Sequence, residues 1–123
     1  QGAMQAPQGW FNVAWLQYGP VPGAPGNAVV AGHLDAPGGV PSTFWNLNQL
    51  VPGDRVTVIA EDGSERVFEV TGSEVFHFYN MPTQRIFGPT EQRNMNLITC
   101  AGSWDYSLGT YDHRLVVYTT LVE

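Results

Sequence analysis

Asn96-Leu97-Ile98-Thr99-Cys100-Ala101-Gly102 holds the single cysteine of the chain. The run from Asn96 to Thr99 mixes polar and apolar residues, Ile98 and Thr99 are β-branched, and a small pair follows the cysteine. This reads as a strand that ends at Cys100, with the thiol at the rim where the chain turns. A thiol there can act as a nucleophile on a substrate in the adjoining loop. A lone cysteine on a strand is more commonly a small buried hydrophobe.

The sequence around it narrows the fold. There are 123 residues, enough for one domain with a real core and too few for two. Hydrophobic residues make up 43%, so the chain is a folding one. Fourteen glycines and nine prolines interrupt it often, which suits short strands joined by turns. Net charge is −6, from five arginines, no lysine and eleven acids. That excludes a basic nucleic-acid face and a polybasic membrane patch. One cysteine rules out an internal disulfide and a cysteine-based zinc site. The three histidines have no metal-ligand spacing, so neither a metal nor a cofactor is expected. No run of 18 apolar residues and no signal peptide is present. The chain reads as cytosolic or as a trimmed ectodomain. Gln1-Gly2-Ala3-Met4 resembles a tag remnant, leaving residues 5–123 as one domain and favouring the trimmed form.

In order, Pro7 to Leu16 reads as a short aromatic-bearing extended segment. Gly19 to Gly26 is a proline- and glycine-rich surface loop. Asn27 to Gly32 is a short apolar run, a buried strand, and His33 stands at its end. Residues 29, 31 and 33 share one face. The plain reading of His33 is a strand-end polar residue making one hydrogen bond. Asp35 could orient its imidazole, although Asp-Ala-Pro-Gly-Gly is turn chemistry. A short helix is expected from an N-cap at Ser42 to Leu50. Strands follow over 54–60, 65–71 and 73–79, the first two joined at Glu61-Asp62-Gly63-Ser64. Glu61, Asp62 and Glu65 form a solvated turn rather than a calcium loop. Asn80 to Met95 is a long connection with one helical turn, and long ordered loops commonly carry function. Ser103 to Asp112 reads as an aromatic-rich loop, and Arg114 to Val122 as the last strand. Six or seven strands and so little helix must close or stack, which gives a mostly β fold, a small mixed barrel.

His33, Cys100 and Arg114 thus stand at strand ends. A thiol needs an imidazole to take its proton and return it to a leaving amine. A tetrahedral intermediate needs a cation or N–H donors facing its oxyanion. Arginine supplies a permanent charge and a rigid fork of donors. Arg114 can also be read as a surface strand charge. His113 competes for the inward place, but strand neighbours point to opposite faces, so only one of the two can serve.

Ala28-Val29-Val30-Ala31-Gly32-His33, Leu97-Ile98-Thr99-Cys100 and Arg114, in this order and at these separations, resemble the three signature blocks of the sortases. The lead-in from Pro22 to His33, Pro52-Gly53-Asp54, and Tyr111 to Tyr118 are most similar to the class E/class F branch. The resemblance covers Trp10 to Glu123. It implies a sortase-type β-barrel of eight strands, closed or nearly closed, and a cysteine transpeptidase. Cys100 would be the nucleophile, His33 the acid/base, and Arg114 the stabiliser of oxyanion and substrate, with Thr99 in support. The substrate would be a surface protein with a C-terminal LPxTG-like sorting signal. The acceptor would be an amine of the cell wall or a pilin. Members are tethered on the extracellular face of Gram-positive membranes. One or two opening strands and the N-terminal anchor of such proteins are absent here, so an incomplete barrel with an exposed edge is expected. No acidic site like that of the calcium-stimulated members can be matched. Asn80 to Met95 would wall the sorting-signal groove. Trp104, Tyr106 and Tyr111 would line its other side, or simply anchor a loop to the barrel.

Two other readings compete. In one, the protein is a non-catalytic β-barrel that binds peptide or glycan, with Cys100 a core residue. In the other it is a different thiol enzyme, such as an L,D-transpeptidase, whose SHGC-like nucleophile block is absent.

Overall fold

The structure is a computed structural model that describes residues 13–15, 19–36, 40–42, 44–59 and 62–122. The tag-like residues 1–4, the aromatics Trp10 and Phe11, and Glu61 of the acidic turn lie outside them.

The strands are β1 (Val13–Trp15), β2 (Gly26–Gly32), β3 (Asp35–Ala36), β4 (Val40–Pro41), β5 (Arg55–Ile59), β6 (Glu65–His77), β7 (Arg93–Asp105) and β8 (Thr110–Leu121). One short helix, α1 (Thr83–Phe87), lies between β6 and β7. Six strands form one sheet in the order β1-β2-β7-β8-β6-β5, and β3 pairs with β4 in a separate ribbon. Only β2 and β7 run parallel; the other pairs are antiparallel. A parallel pair needs a long crossover, and everything from β3 to α1 supplies it.

Alternation along β2, β7 and β8 feeds two cores. Ala28, Met95, Leu97, Leu115 and Val117 join Leu47, Phe68 and Val70 on one face. Val29, Ile98 and Val116 join Ile86 of α1 on the other. Strands buried on both faces read as near-continuous apolar runs, which is why the pattern of Ala28 to Ala31 is not a clean alternation. The first core also curls the sheet. Val30 of β2 and Val56 and Val58 of β5 line one apolar cavity of about 400 Å³ with Met95 and Leu97. In a flat sheet, strands four places apart would be about 19 Å away from each other. The molecule is therefore a curled half-barrel, the incompletely closed form of the expected mostly β barrel. The eight strands do not form one closed cylinder, because β3 and β4 stand apart and β1 and β5 are the sheet edges.

Several local expectations change. The helix over 42–50 contracts to one 3-10 turn, Leu47–Gln49. The Phe44 amide donates to the His33 carbonyl at 3.1 Å, holding this segment against the end of β2 instead of in a helix. A Cβ at Gly32 would lie 2.7 Å from the Phe44 ring, so glycine permits that approach. The two strands expected over 65–71 and 73–79 are one strand, β6, with its register shift between Val70 and Gly72. The loop over 103–112 is a hairpin: β7 runs on past Cys100 to Asp105, and β8 begins at Thr110. A bulge between Ala101 and Trp104 separates the two parts of β7. Gly102 takes φ +79 there, where a Cβ would collide with Asp112.

Candidate functional site

Cys100 and Arg114 are register partners on β7 and β8. Partners directly opposite share a face, with Cβ atoms about 5 Å apart. The parity of β7 and β8 puts both on the face of Ile98 and Val116. Neither residue is at a strand end as expected. Cys100 sits just before the bulge, and Arg114 is interior to β8 because the hairpin extends the strand.

β2 brings the third group. Its parallel pairing with β7 runs to Ala31↔Ile98. His33 lies two residues past that last pair on the β2 side, and Cys100 two residues past it on β7. Buried Thr99 enforces that alignment, since its hydroxyl donates to the Gly32 carbonyl at 2.8 Å. His33 is half-buried and follows the last residue of β2. Cys100 and Arg114 are thus opposite one another, and His33 follows the strand beside β7.

Arg114 is held from its own hairpin. Nη1 donates to the carbonyls of Tyr111 at 2.8 Å and His113 at 2.9 Å, and Nη2 donates to the Thr110 hydroxyl at 3.3 Å. The guanidinium lies 4.7 Å from the centre of the Phe78 ring. Among the described residues no carboxylate pairs with it. Thr110 Oγ1 also lies 4.0 Å from the half-buried Cys100 Sγ, so one hydroxyl sits between thiol and guanidinium.

Tyr111 works on both sides of the site. Its carbonyl receives Arg114, and its phenol donates to Asp35 Oδ2 at 2.8 Å. That bond holds the phenol above the usual tyrosine range, helped by partial burial and the nearby negative charge. Asp35, expected as a turn residue, therefore ties the segment after His33 to β8. Trp104 packs its edge on Tyr111 at 5.4 Å and on Tyr106 at 6.3 Å. Tyr106 is 91% exposed, so of the three aromatics only Tyr111 is an anchor through a hydrogen bond. His113, the strand neighbour of Arg114, has partners of its own. Its Nδ1 lies 2.7 Å from Asp112 Oδ1, and its ring meets the edge of His77 at 5.2 Å. The His113 contact, and then the Ser103 amide, hold Asp112 below the ordinary carboxylate range.

The connection over 80–92 is tied to the sheet by amides. Asn96 Nδ2 donates to the Ile86 carbonyl at 2.9 Å, and Asn27 Nδ2 to the Gly88 carbonyl at 2.8 Å. Arg85 pairs with Glu74 beside it. Among the described residues, no group of three or more His, Cys, Asp or Glu could hold a metal ion.

Sequence reasoning missed Thr110 and Phe78 and undervalued Asp35. Thr110 carried a usable signal. It lies on the same alternation as Arg114, but reading the strand as starting at Arg114 removed it from view.

Comparisons with known proteins agree with this architecture. The sortase domain family model matches residues 2–122. No curated protein matches the chain. Among solved structures, sortase C-1 from Actinomyces oris is 28% identical, with a TM-score of 0.72 over 91% of this chain and 59% of that one. Sortase A from Corynebacterium diphtheriae is 22% identical, with a TM-score of 0.70 over 91% of this chain and 48% of that one. Sortase C1 from Streptococcus agalactiae is 21% identical, with a TM-score of 0.71 over 92% of this chain and 54% of that one. The chain thus spans about half the length of the sortases it matches. The latter two likenesses speak to fold alone. The family match runs nearly end to end over a half-barrel that superposes on these structures, and the chain belongs to the sortase family.

Proposed function

We propose that this half-barrel carries a sortase-type cysteine transpeptidase site, with Cys100 as nucleophile, His33 as acid/base and Arg114 as oxyanion and substrate cation. The observation that supports it most is the Cys100↔Arg114 pairing, beside β2, whose parallel ladder with β7 ends at Ala31↔Ile98 just before His33. His33 takes the thiol proton, and the thiolate attacks the threonine carbonyl of an LPxTG-like sorting signal. The C–S bond forms as the carbonyl electrons move onto oxygen, where the Arg114 fork balances the charge. Collapse breaks the Thr–Gly C–N bond, and the imidazolium gives its proton to the departing glycine amine. An acceptor amine then attacks the thioester and expels the thiolate; water does so more slowly.

The substrates are surface proteins with C-terminal sorting signals, and the acceptor is an amine of the cell wall or a pilin. The work is done on the extracellular face of a Gram-positive membrane. The class E/class F affiliation rests on the Pro22 to His33 lead-in and the Tyr111 to Tyr118 block. The connection over 80–92 walls the groove on one side, and Trp104, Tyr106 and Tyr111 flank it on the other. Thr99 acts from beneath by holding the end of β2.

The test is cleavage of fluorogenic LPxTG and LAxTG peptides with intact-mass measurement. Cleavage between Thr and Gly, with an acyl adduct on Cys100, is expected. Cleavage that survives Cys100→Ala removes the thiol from the site. Peptide binding with no adduct in the parent supports a binding module instead.

A further inference from the structure

The Tyr111–Asp35 hydrogen bond joins parts of the chain 76 residues apart. One end sits two residues after His33. The other sits on the residue whose carbonyl takes Arg114 Nη1. No regular pairing does this job: past Ala31 the β2–β7 ladder has ended, and β3 pairs only with β4. The His33-bearing turn is fastened to β7 by the Thr99 hydroxyl on the Gly32 carbonyl, and to β8 by Tyr111. Trp104 and Tyr111 meet edge to face, their ring centres 5.4 Å apart.

We infer that Tyr111 and Asp35 form a positioning clasp, which sets the His33 imidazole against the Cys100 thiol while Tyr111's own carbonyl sets the Arg114 guanidinium. This rests on the thiol–imidazole pairing proposed above, and it assigns to two residues outside the three signature groups the task of keeping them in register. A phenol–carboxylate bond suits the task, because a 2.8 Å hydrogen bond with a directional O–H donor fixes the separation of the two segments. The Tyr111 side chain acts through His33 and need not touch the substrate.

The test reads Cys100 alkylation by iodoacetamide at neutral pH, followed by intact mass, so it does not depend on any peptide substrate. Tyr111→Phe keeps the ring and the carbonyl and removes only the donor. It should slow alkylation on the order of tenfold, as small misplacements of reacting groups do. Asp35→Ala should match it. Asp35→Asn, whose amide oxygen still accepts the phenol, should stay within about twofold of the parent, the scatter expected of independent changes. In a His33→Ala background, Tyr111→Phe should add less than about twofold, since both act through one group. A parent-like rate in Tyr111→Phe overturns the clasp, and so does an equal loss with His33 already removed. Asp35→Asn behaving like Asp35→Ala also overturns it, because charge and not the bond would then matter. If Tyr111→Phe does not fold, the two Asp35 variants decide. Peptides left uncleaved with this coupling intact would remove the sorting reaction and leave the clasp; cleavage without the coupling would do the reverse.

Discussion

Cys100 and Arg114 face one another across β7 and β8, and the Thr110 hydroxyl lies 4.0 Å from the sulfur and 3.3 Å from Arg114 Nη2. Among the described residues, the guanidinium is thus fixed by neutral oxygens.

Arg114→Lys tests whether the fork matters beyond the charge. Lysine carries the same charge but cannot hold the Tyr111 and His113 carbonyls and the Thr110 hydroxyl together. Losing a preorganised oxyanion donor costs about 10²–10³ in kcat, so sorting-peptide turnover should fall by that much in the lysine variant. A rate close to the parent's would show that charge alone suffices.

Thr110→Val keeps the shape and deletes the bridging hydroxyl. A hydrogen bond to a charged group contributes about 1.5–3 kcal/mol, so peptide kcat/KM should drop by about tenfold or more, and Thr110→Ser should restore most of it. Equal activity in the valine and serine variants would leave Thr110 as a spectator.

Thr99→Val and Phe68→Ala separate alignment from bulk packing. Thr99 is buried, and its hydroxyl satisfies the Gly32 carbonyl, so the valine variant should lose about 1–3 kcal/mol in denaturant melts. Phe68 is fully buried in the first core, so Phe68→Ala should lose about 3–5 kcal/mol. The alignment argument also requires Thr99→Val to slow Cys100 alkylation while the protein remains folded; an unchanged rate would confine Thr99 to stability.

Acid should loosen the β7–β8 hairpin. Asp105 Oδ1 accepts the hydroxyl and amide of Ser107 and the amide of Leu108, and the Ser107 bonds hold it below the ordinary carboxylate range. Asp112 is lowered for the reasons given above. A carboxyl with a depressed folded pKa contributes stability above its unfolded value of about 4, and loses it as pH falls further. Melting temperature should be flat from pH 8 to 5 and decline below about 4. Asp105→Asn should flatten part of that decline, and an unaltered acid limb would count against the turn as its source.

Much of this could be read along the chain. The strand over 27–32, the hairpin at Asp62 to Ser64 and the strand character around Cys100 follow from residue type and two-residue alternation, which are local properties. So does the rule that His113 and Arg114 cannot both face the thiol. The exchange of a predicted helix over 42–50 for one 3-10 turn has a non-local cause: Phe44 bonds the His33 carbonyl, and its ring fills the space left by Gly32. Ser103 to Asp112 has loop composition, but Asp105 and Asp112 close it into a hairpin by capping backbone amides.

Residue types were enough to mark His33, Cys100 and Arg114 as candidates, Cys100 and Arg114 on strands and His33 just past one. How β2 is set against β7 required the fold, because that offset is chosen by contacts across 67 residues, such as the Thr99 hydroxyl on the Gly32 carbonyl. Alternation repeats every two residues and is blind to such an offset; a slip of one would turn Cys100 to the opposite face with the local pattern unchanged.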